Sequence, residues 1–296
     1  MIIIQKNCGL GNQLFQYAAG RRLAWKHNTR LLIDITQTGT KPHEFFALDH
    51  YNIKAEIIDK SKIMQFYDYS AAGRISRKIK TMAGIGIKTE IGKFKRICEK
   101  EIYVFDKSVL KLPDNVFLRG FWQSEKYFLD AEDIIRDELS LKTQLSAQGI
   151  SAQHQIKNLK NTVSVHIRRG DNVTDKLSNR YFGLIPLEYY YKCLSHLYEK
   201  FGSLNIFVFS DDPVWAKENL ISDNPMFFIA HNDYKTAYED IHLMSLCEHN
   251  IIANSSFSWW GAWLNKNKEK IVFSPKQWLV NLNKKFEFVP DNWLRI

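Results

Sequence analysis

The sequence predicts an α/β protein of two domains with parallel sheets, and three observations carry that prediction. Met1 to Ile35 reads as strand, turn, helix and strand again, the second half alternates strand-like and helix-like runs, and a polar stretch, Gln144 to Asn161, separates the two patterns. A chain of 296 residues is long for one small core and short for three domains. The expected domains are therefore 1–150 and 151–296.

Met1 to Lys6 is a β-branched run ended by a turn at Asn7 to Asn12. From Asn12 onward Leu14, Phe15, Ala18, Ala19, Arg22 and Leu23 follow helical spacing, and Arg30 to Ile35 returns as a strand. Such a β-loop-α-β unit starts a parallel sheet. Val116 to Trp122 predicts another strand, and Ser124 suits the cap of a helix through Asp137. Ahead of that strand, Gly73 to Arg96 carries eight lysines and arginines against the single acid Glu90, which marks a basic surface element.

In the second half, strands are expected at Val163 to Arg168, Asn205 to Phe209, Met226 to Ala230, Asn250 to Asn254 and Lys270 to Phe273. Helices are expected at Pro186 to Phe201, Asp212 to Asn219 and Thr236 to Glu248. Repeated βα units of this kind bury a parallel sheet between helices on both faces.

The composition, 45% hydrophobic and 25% charged with 14 Gly and 7 Pro, is that of a folded globular protein and excludes disordered and fibrous classes. A net charge of +9 points to an anionic partner: phosphate, nucleic acid or a membrane surface. Cys8, Cys98, Cys193 and Cys247 are scattered, with no CxxC pair, so neither a zinc site nor a disulfide framework is expected. The run Ile2, Ile3, Ile4 breaks at Gln5 and Lys6, short of a signal-peptide core or a membrane span. A reducing, cytoplasmic setting is expected.

Three strand ends and one loop concentrate polar chemistry. In His166-Ile167-Arg168-Arg169-Gly170-Asp171, alternation puts Ser164, His166 and Arg168 on one face and Val163, Val165 and Ile167 on the other. Two guanidiniums beside a glycine at a strand exit suit a diphosphate, which accepts forked, charge-assisted hydrogen bonds. A structural pair with Asp171 is the plainer alternative. After the next strand, Ser210-Asp211-Asp212-Pro213 suits a divalent metal, the donor edge of a guanine, or an N-cap. Because Arg168 and Arg169 already supply cations, base reading is favoured over metal binding.

At Asn254-Ser255-Ser256-Phe257-Ser258-Trp259-Trp260 a strand runs into hydroxyl residues and then a helix, whose free N–H groups attract an anion. The tryptophans are expected to pack rather than stack on a ligand. The loop Gly9-Leu10-Gly11-Asn12-Gln13-Leu14 partly matches a dinucleotide fingerprint, with Asp34 ending the second strand, yet Leu14 stands where the third glycine belongs. That mismatch argues against a nicotinamide or flavin enzyme. Its glycines instead allow close backbone approach to a sugar or phosphate.

Taken together, the Gly9 to Ala18 run, the His166 to Asp171 run, Phe209-Ser210-Asp211-Asp212, and the block from Glu239-Asp240 through Asn254-Ser255-Ser256 to Ala262 resemble the bacterial α-1,2-fucosyltransferase family. The resemblance extends over nearly the whole chain and is weakest near Gly73 to Arg96.

It implies a GT-B arrangement of two Rossmann-like domains, an acceptor-side N-terminal one and a GDP-fucose-binding C-terminal one. It also implies GDP-fucose as donor, inversion at the anomeric carbon, and no metal or other cofactor. Residues implied at the donor are His166, Arg168 on the β-phosphate, Ser210, Asp211 or Asp212 on guanine, Asn254, the phosphate-contacting Ser255 and Ser256, Phe257, Gly9 and Gly11. Asn12 and Gln13 are expected at the acceptor, a galactose-terminated glycan attached to a lipid diphosphate. Asp171 is the first candidate for the general base, with Asp175 and Glu239 behind it. An anionic membrane surface is the further partner expected of the basic segment, which places the enzyme at the inner face of the cytoplasmic membrane. Nucleic acid is not expected. The rivals are a metal-dependent transferase using Asp211 and Asp212, and a carbohydrate-binding module using the tryptophan-rich block.

Overall fold

A computed structural model of the chain describes residues 1–36, 45–59, 62, 94–280 and 287–296. The basic segment 73–96 lies outside them except for its last three residues. Two compact units are present, Met1–Lys142 with Phe286–Phe288, and Thr143–Lys285 with Val289–Ile296.

The first unit holds β1 (Ile2–Gln5), α1 (Leu10–Lys26), β2 (Leu31–Asp34), β3 (Glu56–Ile58), β4 (Lys95–Cys98), β5 (Val116–Arg119) and α2 (Glu132–Glu138). Its strands form one parallel sheet in the order β3-β2-β1-β5-β4. β1 is fully buried because helices and loops cover both faces of a parallel sheet. α1 lies close on β1 because residue 20 is glycine: a Cβ there would come within 2.3 Å of Ile4 Cγ2. The expected helix from Ser124 to Asp137 is broken into 3₁₀ turns at Glu125–Tyr127 and Leu129–Ala131 before α2.

The second unit holds α3 (Ala147–Asn158), β6 (Thr162–Ile167), α4 (Gly170–Thr174), α5 (Lys176–Phe182), α6 (Leu187–Phe201), β7 (Asn205–Ser210), α7 (Pro213–Asn219), β8 (Met226–Ile229), α8 (Ala237–Leu246), β9 (His249–Ile251), α9 (Ser256–Leu264), β10 (Val272–Ser274) and β11 (Leu294–Arg295). All six strands are parallel, in the order β11-β10-β9-β6-β7-β8. The chain runs outward from β6 through β7 to β8, crosses back to β9 and runs outward the other way. The crevice where the order reverses lies at the carboxyl ends of β6 and β9, where parallel sheets bind ligands.

Val163, Val165 and Ile167 pack with Tyr189, Cys193 and Leu197 of α6 in the core. The polar stretch expected as a connection between domains instead carries α3. Its cap is Ser146, whose side chain accepts from Gly149 N–H, and its buried residues are the small or apolar Gly149, Ala152 and Ile156.

Candidate functional site

On the face of β6 opposite that core, Ser164 Oγ accepts from Asn250 Nδ2 at 2.7 Å, and the His166 ring lies 5.6 Å from that of Phe257. His166 is buried, and its Nδ1 meets no hydrogen-bond partner among the described residues. Burial, helped by the Arg168 charge, pushes its pKa down to about 3. The imidazole therefore stands neutral beside the arginines.

Beyond β6 the two arginines divide their work. Arg168 Nη1 donates to Asp211 Oδ2, and the other oxygen of that carboxylate accepts the Arg169 N–H at 2.8 Å. Gly170 makes the approach possible, because a Cβ there would fall 2.4 Å from Asp211 Oδ2. Arg169 turns away: its Nε donates to Asp212 Oδ2 at 3.1 Å, and its guanidinium lies 3.7 Å from the centre of the Trp215 ring. Asp212 also caps α7, accepting from Trp215 N–H at 3.2 Å ahead of Pro213. Ser210 Oγ accepts from Asp212 N–H at 3.0 Å.

Both acids expected to read a guanine or hold a metal are thus engaged by arginines, and the arginines pair with Asp211 and Asp212. Asp171 stands in α4, with its side chain outside the described part. Among the described residues no group of three His, Cys, Asp or Glu side chains is arranged to hold a metal ion.

Across the crevice, β9 runs into Asn254 and Ser255. Ser255 Oγ accepts from Phe257 N–H at 3.3 Å and caps α9, which Ser256 opens. Asn254 ties loops together, donating to Phe182 O at 2.7 Å and Trp278 O at 3.3 Å. Trp259, Trp260 and Trp263 are buried and packed on one another.

Glu239 does not meet the expectation of a general base. It is 1% exposed and accepts from Ser146 N–H at 2.9 Å and Ser146 Oγ at 2.8 Å, so it anchors the start of α3. Its neighbour Asp240 is the carboxylate that sequence reasoning passed over. It lies in the first turn of α8, the helix that follows β8, and its Oδ1 accepts from Asn232 Nδ2 at 2.6 Å. Burial, opposed by that hydrogen bond and helped by the Glu239 charge, pushes its pKa up to about 7. The pair Glu239-Asp240 stood in the sequence, but only packing distinguishes the anchor from the titrating acid.

In the first unit, Gly9 precedes α1 and its carbonyl accepts from Asn12 N–H and Gln13 N–H at 3.0 and 3.1 Å, while Gly11 is buried in the first turn. Gln13, expected at the acceptor, is a buried staple. It donates to Cys8 O and Phe45 O at 3.0 and 2.7 Å and accepts from Ala47 N–H at 3.0 Å. Asn12 is half-buried, and its Oδ1 accepts from Gln123 Nε2 at 2.6 Å.

An α-1,2-colitosyltransferase of Escherichia coli is 34% identical over 303 residues, covering 97% of this chain and 96% of its own. The O-antigen biosynthesis glycosyltransferase WbnK of Escherichia coli is 31% identical over 302 residues, covering 97% and 98%. Among solved structures, NodZ α-1,6-fucosyltransferase co-crystallised with GDP superposes with a TM-score of 0.51 at 13% identity, over 88% of this chain and 91% of its own. That likeness is one of fold, the GT-B class with two Rossmann-like units. The glycosyl transferase family 11 profile matches residues 1–295, and the chain is a glycosyltransferase belonging to that family.

Proposed function

We propose that this glycosyltransferase moves L-fucose from GDP-β-L-fucose to the 2-hydroxyl of a terminal β-galactoside with inversion, in the assembly of a surface polysaccharide. The observation that carries the reading is Arg168, set at the carboxyl end of the central strand β6 and oriented by Asp211. As the sugar–phosphate bond breaks, the electron pair leaves with GDP and negative charge grows on the diphosphate. Arg168 and the N-terminus of α9 at Ser255 and Ser256 are suited to that charge. The acceptor hydroxyl attacks from the opposite face of an oxocarbenium-like sugar, which inverts the anomeric centre.

The donor-binding roles assigned to His166, Phe257, Ser210 and Asn254 are part of the same reading, as shape around the nucleotide. Asp240, on the helix following β8, replaces Asp211 and Asp212 as the acid that reads the base edge. Arginine compensation of both strand-end acids supports a grip that works without metal. Asp171 stays the proposed base. The +9 charge, together with the O-antigen relative, supports a lipid-diphosphate-linked acceptor at the cytoplasmic face of a membrane. No helix among the described residues is long and apolar enough to cross one.

A second reading keeps the reaction and changes the sugar to colitose, the 3-deoxy counterpart of L-fucose, which the 34% identical relative favours. Offering GDP-L-fucose and GDP-L-colitose in competition with a panel of β-galactosides, with linkage analysis of the products, separates the two. Transfer to no member of the panel from either donor, or a linkage other than α-1,2, overturns both.

A further inference from the structure

A cavity of about 450 Å³ opens in the first unit at the end of the sheet where β2 and β3 begin. The loop that carries Gly9 and Asn12 leaves the same sheet at the opposite end, so the cavity stands apart from the residues assigned to donor and acceptor. Its walls are the last turns of α1, with Arg21 and Trp25, the turn into β2, with Arg30, and the segment entering β3, with Lys54 and Glu56. That volume falls within the range of small-molecule sites, about 300 to 1,000 Å³.

The walls are tied to one another. Glu138 accepts from Arg21 Nε at 3.0 Å and Arg21 Nη2 at 2.8 Å. It also accepts from the Tyr17 hydroxyl, whose oxygen in turn accepts the Lys54 N–H at 2.9 Å. That chain of bonds joins α1 to the segment entering β3. At the end of α1, Asn28 takes φ 47°, which asparagine tolerates better than most residues. Its N–H donates to Trp25 O at 3.0 Å, and Thr29 N–H donates to Ala24 O at 2.9 Å. Trp25 is thereby held on a pinned last turn with 44% of its surface exposed. A side chain so supported is preorganised for a ligand.

Charge and the ring together select the ligand. Around the cavity Arg21, Arg30, Lys54 and Lys62 meet two acids among the described residues, Glu56 and Glu138. Glu138 is engaged by Arg21, and Glu56 is shared between Arg30 Nη1 at 3.7 Å and Lys62 Nζ at 3.4 Å. The Arg30 side chain is 77% exposed, and a pair so long and so exposed contributes little, which leaves the guanidinium available to an incoming anion. Arginine takes a carboxylate or phosphate through its fork, while the indole of Trp25 offers a flat apolar face. A bare anion would not need the indole, and a neutral sugar would leave the cations unused. We propose that this cavity is a secondary saccharide site for a hexose ring carrying one anionic group, with the ring on Trp25 and the anion on Arg30 and Lys54.

Ligand-observed NMR titration of the full chain tests this, with methyl β-D-glucuronide and α-D-glucose 1-phosphate as probes and methyl β-D-glucoside and inorganic phosphate as controls. At least one probe is expected to bind at least tenfold tighter than both controls. Trp25→Ala and Arg30→Gln, both at exposed positions, are each expected to weaken that binding at least tenfold while GDP affinity stays within twofold. Binding of the glucuronide alone assigns the anion to an acidic residue of a glycan, and binding of the phosphate alone assigns it to a free sugar phosphate; each supports the site. Probe affinity within twofold of wild type in either folded variant overturns the proposal, as does a control that binds as tightly as its probe or a wild-type chain that binds neither probe. A probe displaced by saturating GDP overturns it too, since that probe then occupies the nucleotide's own site.

Discussion

Arg168 and Asp211 are joined across the carboxyl ends of neighbouring strands, with Arg168 Nη1 donating to Asp211 Oδ2, while the same carboxylate accepts the Arg169 N–H at 2.8 Å. The register that pairs Ile167 with Ser210 places them side by side. A flexible cation is thereby given one direction before any ligand arrives, which is what electrostatic stabilisation of a leaving group requires.

Removing that cation tests the donor site. Arg168→Ala is expected to lower kcat/KM by at least about 3 kcal/mol in transition-state stabilisation, the order found for losing one well-placed donor to developing charge. Steady-state kinetics on folded protein measures it, and near-normal kcat/KM would refute the assignment.

Gly170→Ala and Asp211→Asn should resemble one another. The first drives a methyl to within 2.4 Å of Asp211 Oδ2, and the second removes the negative charge of the pair. Each is expected to cost about 1.5 to 3 kcal/mol in kcat/KM, the range of a charge-assisted hydrogen bond. If Gly170→Ala keeps full activity while Asp211→Asn loses it, the packing argument fails.

Glu239→Ala is expected to damage stability rather than chemistry. Ser146 N–H and Oγ both lose their buried acceptor, at a cost of about 2 to 4 kcal/mol. Denaturant unfolding should show that loss while kcat per folded molecule stays close to wild type. A kcat that collapses in a stably folded variant would restore Glu239 as a base.

Asp240 makes a signed prediction for pH. Its carboxyl is raised in the folded chain to about 7 from an ordinary 3.8, so between those values the folded state holds a proton that the unfolded state has lost. Its contribution to stability is full below about 4 and is lost as pH rises through about 7. His166, lowered to about 3 from 6.5, works in the opposite sense, stabilising above 6.5 and losing that contribution as pH falls through 3. Comparing chemical denaturation of Asp240→Asn with wild type across pH 4 to 8 isolates the first effect: the variant's advantage should grow with pH and level off above about 7. An advantage that is flat across that window contradicts the raised carboxyl.

Activity is expected to survive excess chelator, because Asp211 and Asp212 are compensated by Arg168 and Arg169 instead of by a divalent ion. Loss of turnover on chelation, with recovery on adding magnesium or manganese, would reinstate the metal-dependent alternative.

Several site features were legible in the amino-acid sequence. Alternation along β6 separated Val163, Val165 and Ile167 from Ser164 and His166, since a strand's two faces are written in its period of two. Pro213 after two acids announced the start of α7, and Asp212 does cap it. The ordered motifs pointed to the family that the whole-chain match shows. Other elements were hidden. The polar stretch at Gln144 to Asn161 contains α3, whose weak pattern hid a helix held by Glu239 from 93 residues away. Gln13 and Asn12, adjacent and chemically alike, looked interchangeable, yet one is a loop staple and the other the partner of Gln123.

By itself, then, the sequence determined the strands other than β3, β4 and β11, the cap of α7, the cations at the exit of β6 and the family, all of which rest on local periodicity, backbone stereochemistry or contiguous motifs. Tertiary structure alone decided which acid meets which arginine, that Glu239 is an anchor and Asp240 a titrating acid, and that Asn12 joins Gln123 across 111 residues. Those partners are chosen by sheet register and by the burial of particular faces, and the energy of a hydrogen bond depends on where its two atoms end up, not on how far apart they stand along the chain.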